Sequence, residues 1–227
     1  AISVTPKYRG PKWYVATTNG SALNDTTTNA NLGGFDHPIN HLTSAMEIAA
    51  SGDTIVMMSG THSGSNNRGI SFKSNKPLVI MGDPNYTADN IIMDAGGRDR
   101  HFTFENREDS TYQVIGLTLY NGKGTDDGGG SVSVSNSSSP VFKRVIFKEN
   151  INASDNWEGG GAIRIRGYST PSFYYCTFDG NLTDRTSSEN NNEAYGGAVF
   201  VQNSSSSSSS RILFDGCVFK NNMAKSD

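Results

Sequence analysis

The chain has 227 residues, of which 34% are hydrophobic and 18% charged, with a formal net charge of -3. Low apolar content beside abundant Gly, Ser, Asn and Thr suits many short strands separated by turns, in one elongated domain. The 19 basic and 22 acidic residues form no Lys/Arg run that would neutralise a phosphate backbone, and no apolar run reaches the ~18–20 residues a membrane-spanning helix needs. Nucleic acid is therefore not an expected partner, and no membrane span is expected.

In chain order, residues 1–37 form an N-terminal segment that does not read as a signal peptide. Ile39, Leu42, Met46 and Ala49 then share one helical face, which predicts an amphipathic helix over 38–51 stopped by Ser51-Gly52. Over 53–122 the runs Ile55-Val56-Met57, Ile70-Ser71-Phe72, Leu78 to Met81, Ile91-Ile92-Met93, Phe102-Thr103-Phe104 and Val114 to Leu119 read as short strands bounded by turn residues.

Residues 128–222 contain three copies of one pattern. The copies begin at Gly129-Gly130, Gly160-Gly161 and Gly196-Gly197, pass through Phe142, Phe173 and Phe214, and close on Phe147 to Asn150, Phe178 to Asn181 and Phe219 to Asn222. From second Gly to last Asn is 20 positions in the first two copies (130 to 150, 161 to 181) and 25 in the third (197 to 222), and the excess falls on a Ser-rich loop at 204–210. Insertion at one turn with register kept on both sides is a solenoid property.

The expected fold is thus all-β: a single right-handed parallel β-helix over 1–227, with three short strands per rung and the helix as its N-terminal cap. Predicted inward ladders are Val132/Ile163/Val199, Val134/Ile165/Val201, Phe142/Phe173/Phe214 and Phe147/Phe178/Phe219, with Asn150/Asn181/Asn222 at a turn. Ser133, Arg164 and Phe200 are expected outside. No cap follows Asn222, so the coil is expected either to continue past Asp227 or to be covered by another molecule, such as a neighbouring protomer in head-to-tail contact.

The motifs Gly160-Gly161-Ala162-Ile163 and Phe-x-x-Asn resemble repeats of the polymorphic outer-membrane protein type. The opening, from Trp13-Tyr14-Val15 to Ser59-Gly60-Thr61-His62, is similar to the start of many bacterial right-handed β-helix repeat proteins. The resemblance implies an exported bacterial protein of the cell surface or exterior, whose relatives are adhesins, structural proteins or polysaccharide-active enzymes. Seven Asn-x-Ser/Thr triplets fit export.

For chemistry, Asp127 and Glu158 each stand three residues before the second Gly of a copy, with Glu193, Asp126 and Asp155 nearby, and such stacked acids suggest calcium. Tyr174, Phe200 and Arg164 are candidate ligand contacts, the rings for sugar stacking, while Arg164 and Arg166 read as a solvated pair. His37 and His41 lack a third metal ligand and read as a helix-entry turn. Cys176 and Cys217 are expected as buried thiols on one interior ladder with Leu117 and Val145. The outward ladders Ser133/Arg164/Phe200 and Ile146/Thr177/Val218 offer no carboxylate pair, so no catalytic residue is assigned. The leading functional expectation is an extracellular or cell-surface adhesive or structural scaffold, glycan-contacting or self-assembling. The alternative is a polysaccharide lyase or glycoside hydrolase of the pectate-lyase-like type.

Overall fold

A computed structural model of the chain describes residues 8–17, 20, 32–124, 128–153, 159–184, 194–202 and 211–226. The strands form parallel ladders throughout, and each chain turn returns to the same sheet one strand further on, which is a parallel β-helix; such crossovers wind right-handed.

The first sheet stacks Lys12–Val15, Thr54–Met57, Val79–Gly82, Gln113–Ile115, Val141–Lys143, Ser172–Tyr174 and Leu213–Asp215. The second stacks Gly60–His62, Ile91–Asp94, Thr118–Tyr120, Ile146–Lys148, Thr177–Asp179 and Val218–Lys220. The third stacks Ile70–Ser71, Phe102–Phe104, Val132–Val134, Ile163–Arg166 and Val199–Gln202. The expected register is observed for all the Val/Ile and Phe ladders. The segment before residue 38 also contributes, since Lys12–Val15 pairs with Thr54–Met57.

Three strands per rung is corrected to four in the later rungs. Lys123–Gly124, Ile151–Asn152, Leu182–Asp184 and Met223–Lys225 form a fourth sheet between the second and third. Its inward positions include Asn152 and Thr183, both buried, so its strands lack the apolar alternation that marks the others.

Rings fill the interior. Phe142 stacks on Phe173 at 5.1 Å and 9°, and Phe147 on Phe178 at 4.7 Å and 6°, while Phe142 meets Phe147 edge-on at 62°. Burying each ring contributes about 2–3 kcal/mol, and each stacked pair adds about 1 kcal/mol. The corresponding rings of the last described rung, Phe214 and Phe219, are partly exposed.

The last four connections from first to second sheet, those after Gln113–Ile115, Val141–Lys143, Ser172–Tyr174 and Leu213–Asp215, have only two residues. The first is left-handed, at Gly116 (φ 63), Arg144 (φ 51), Tyr175 (φ 53) and Gly216 (φ 62), and the second points inward, at Leu117, Val145, Cys176 and Cys217. The connection from second to fourth sheet repeats the device, with Asn121, Glu149, Gly180 and Asn221 left-handed. Asn150, Asn181 and Asn222 follow as its inward residues. Asn150 Oδ1 accepts from the Gly122 amide at 2.8 Å, Asn181 Oδ1 from Asn150 N at 3.1 Å, and Asn222 Oδ1 from Asn181 N at 3.0 Å.

The paired glycines have a steric cause. A Cβ on Gly130 would lie 2.2 Å from Gly161 O, and one on Gly161 would lie 2.0 Å from Gly197 O, so successive rungs approach too closely there for any side chain.

The helix is shorter than expected, at Leu42–Ile48. Ile39 is instead bridged to Val15, and Ala49 (ψ 142) leaves helical geometry. Leu42, Ala45 and Ala49 bury against the first rungs, so the cap reading holds. His41 precedes the helix without a side-chain cap, and Asn67 Oδ1 from another rung accepts the Leu42 amide at 2.9 Å. At the other end Lys76 Nζ donates to the carbonyls of Met46 (2.6 Å) and Glu47 (3.3 Å).

Gly161→Ala is expected to cost more than about 3 kcal/mol in urea unfolding, because backbone must move. Gly116→Ala meets nothing within 4 Å and is expected to cost only about 1 kcal/mol through its left-handed φ.

Candidate functional site

The residues expected to hold calcium, Asp127, Glu158 and Glu193, lie outside the described residues, as do Asp126, Asp155 and the 204–210 loop. Among the described residues no group of three or more His, Cys, Asp or Glu could hold a metal ion.

Arg164 is corrected from a solvated residue to a buried one. It is 1% exposed and its Nη2 donates to Gln202 Oε1 at 3.0 Å; Ser133 beside it is buried as well. Alternation directs a side chain away from the coil, but only the surrounding chain decides whether water reaches it. Phe200 sits on the same sheet, stacked on Tyr195 at 5.7 Å and 29°. Tyr174 belongs to the first sheet, so the three candidate contacts do not converge on one site.

Around Tyr174 there is a site that sequence reasoning resolved only in part. The outer face of the first sheet opens into a cleft of about 470 Å³ lined by Ser110, Gln113, Val141, Lys143, Arg144, Tyr174 and Tyr175. Lys143 stands in register with Tyr174 on the next strand, and its Nζ donates to Gln113 Oε1 at 3.2 Å. Arg144 and Tyr175 are the left-handed corner residues of successive rungs, held by backbone bonds from Arg144 N to Tyr174 O (2.8 Å) and from Tyr175 N to Asp215 O (2.7 Å). The Tyr175 ring lies over Gly216, where a Cβ would come within 2.5 Å of the ring, and the residue stays 65% exposed. An aromatic face, a guanidinium, an ammonium and an amide thus share one rim with no carboxylate among the lining residues. The signal in the sequence was the position itself: Gly116 and Gly216 occupy the corners equivalent to Arg144 and Tyr175.

A smaller hollow of about 210 Å³ lies beside the helix, lined by Thr43, Met46, Lys73, Lys76 and Leu78 among others. Its Lys76 is committed to the helix carbonyls, so this hollow belongs to the cap.

The buried titratable groups are structural. His101 Nε2 lies 2.9 Å from Met93 O and 3.1 Å from Tyr120 O, both acceptors, so this nitrogen carries the proton. Nδ1 then accepts from the Ser131 hydroxyl at 3.0 Å. Burial pushes the His101 pKa down to about 4. His62, bonded through Nε2 to Met58 O at 2.8 Å, is lowered for the same reason. Cys176 and Cys217 are free thiols, and burial raises Cys176 to about 12, which leaves it a poor nucleophile. Two of the glycosylation triplets are also internal, since Asn152 and Asn181 are buried.

No family model matches the chain, and no curated protein matches it. Among solved structures it is similar to a rhamnogalacturonan lyase, at 13% identity and a TM-score of 0.34, covering 92% of this chain and 62% of that one. It is also similar to a pectin methylesterase from Aspergillus niger, at 12% identity and a TM-score of 0.31, covering 95% of this chain and 77% of that one. The chain therefore spans less than two thirds of the lyase, and no residue role is carried over from either protein.

His101 gives a pH prediction. Its folded pKa of about 4 lies below the ordinary 6.5, so the unfolded chain binds the proton first and stability falls as pH drops from about 6.5 to about 4, by about 3 kcal/mol. Asp109 and Asp179 are lowered from 3.8 by hydrogen bonds and act only at more acid pH. Urea titrations across this window should show a clearly flatter slope for His101→Asn than for wild type; equal slopes would contradict the assignment.

Proposed function

We propose that this protein is an extracellular or cell-surface scaffold that contacts glycans through the outer face of its first sheet. The observation that carries the reading is Tyr175, 65% exposed at a left-handed corner with its ring against Gly216. A ring that already packs against backbone has less side-chain freedom to lose when a sugar face stacks on it. Arg144, Lys143 and Gln113 supply donors, and the amide an acceptor, for hydroxyls around that face. The surface location and bacterial origin follow the resemblance of the Gly-Gly-Ala-Ile and Phe-x-x-Asn motifs to polymorphic outer-membrane protein repeats, and are part of the proposal.

A panel of immobilised neutral and acidic oligosaccharides tests the reading. Binding by the wild type, weakened about tenfold or more by Tyr175→Ala and unchanged by Tyr168→Ala at a different corner, is the expected result. Absence of binding to every glycan, or equal binding by both variants, would refute it. Appearance of new reducing or unsaturated ends during incubation would replace the scaffold reading with that of a lyase or hydrolase.

A further inference from the structure

The outward third position of the first sheet forms one column whose register is continuous. Tyr14 pairs with Val56, Val56 with Met81, Met81 with Ile115, Ile115 with Lys143, and Lys143 with Tyr174. The column runs along the coil axis, and the five strand-to-strand steps from Tyr14 to Tyr174 span about 24 Å at ~4.8 Å each.

Its two ends carry the same kind of equipment. At the far end from Tyr174, a second cleft of about 120 Å³ is lined by Lys12, Tyr14, Phe35, Val56, Met81, Asp83, Pro84 and Asn85. Phe35 meets Tyr14 edge-on at 5.4 Å and 88° and is 55% exposed. From Val56 to Ile115 the column is apolar, with Val56 buried and Met81 and Ile115 half-buried. The exposed rings beside the two ends of the column, Phe35 and Tyr175, are not required by the core, which is filled on the opposite side of the same strands by Trp13, Ile55, Ile80, Val114, Phe142 and Phe173.

Cations outnumber anions along the track. Lys12, Lys143 and Arg144 line the two clefts. The acidic residue among the lining, Asp83, is buried and its Oδ1 accepts from the Asn85 amide (3.0 Å) and side chain (2.9 Å). Asp215 lies one strand beyond Tyr174 and outside the cleft lining. An extended peptide gains little on this face, because the inner strands already pair their backbones on both sides and offer no free edge. The ligand must be held by side chains, at intervals along the axis.

We infer that the first sheet is a two-subsite track for a linear, negatively charged oligosaccharide lying along the coil axis, stacked on Tyr175 at one end and on Phe35 at the other. This rests on the proposed glycan-contacting role and adds to it a second subsite, a required length and a sign of charge. Linking two weak contacts on one ligand makes the second effectively intramolecular, so affinity should rise steeply once the ligand spans both.

The test compares a uronate disaccharide, a uronate octasaccharide and a neutral glucan octasaccharide by calorimetry on the wild type, Phe35→Ala and Tyr175→Ala, with folding checked by circular dichroism. Expected are about tenfold or greater tightening from uronate disaccharide to octasaccharide, loss of that gain in Phe35→Ala with disaccharide binding retained, weakening of both in Tyr175→Ala, and weaker binding of the glucan. A length gain that survives Phe35→Ala overturns the second subsite. Equal binding of glucan and uronate octasaccharides overturns the charge selection. Either result leaves the glycan-contacting reading standing, whereas failure of all three ligands to bind removes that reading as well.

Discussion

A coil with two-residue corners must satisfy backbone groups inside itself, where water cannot reach them, and the internal asparagine ladder meets that constraint. Each Asn does three things at once. Its carbonyl oxygen accepts from the backbone amide one rung earlier, joined by a side-chain amide where that residue is also Asn, and its own amide donates to a carbonyl of the second sheet. Asn181 shows the full set: its Oδ1 accepts from Asn150 N at 3.1 Å and Asn150 Nδ2 at 2.9 Å, and its Nδ2 donates to Phe147 O at 2.9 Å. Asn150 donates likewise to Leu119 O and Asn222 to Phe178 O. Met93 heads the same column of carbonyls, in register with Leu119, and there His101 supplies the donor. The histidine arrives from the third sheet, occupying space beside Gly122 where the side chain of an earlier Asn would otherwise be. Its depressed pKa is a consequence of its burial there.

This spine connects the interior to the surface. Because inward residues at the corners are fixed, the residue before each of them is forced into the left-handed region and projects outward. At one column of corners those residues include Arg144 and Tyr175, and at the next they include Glu149 and Asn221. The cleft around Tyr175 is therefore built on the most regular part of the molecule. Placement on a regular scaffold favours recognition over adaptation, which is what the proposed glycan contact requires.

Much of the coil was legible in the chain. Phe147, Phe178 and Phe219 recur with an Asn three residues on, and the spacing of the copies placed every inward Val, Ile and Phe in its observed register. The fourth sheet was not legible, because Asn152 and Thr183 face inward and carry no apolar signature. Arg164 was misjudged because period-two alternation gives direction without giving accessibility. The helix was overextended because Ile39 suits both a helical face and the bridge to Val15 that it makes. Of the site, Tyr174 was found from its strand position; Tyr175 and Arg144 were missed, since a left-handed corner shows in a sequence only where glycine fills it.

The spine's role can be measured on one residue. Asn181→Leu keeps size and removes every side-chain hydrogen bond, leaving buried donors and an acceptor without partners, at an expected cost of about 3 kcal/mol or more. Phe178→Leu, which trims a stacked ring and leaves those bonds intact, should cost about 1–2 kcal/mol. Equilibrium urea unfolding of the two variants beside the wild type decides the matter. The polar substitution should be clearly the more damaging, to the point of preventing folding; an Asn181→Leu protein as stable as the wild type would contradict the account.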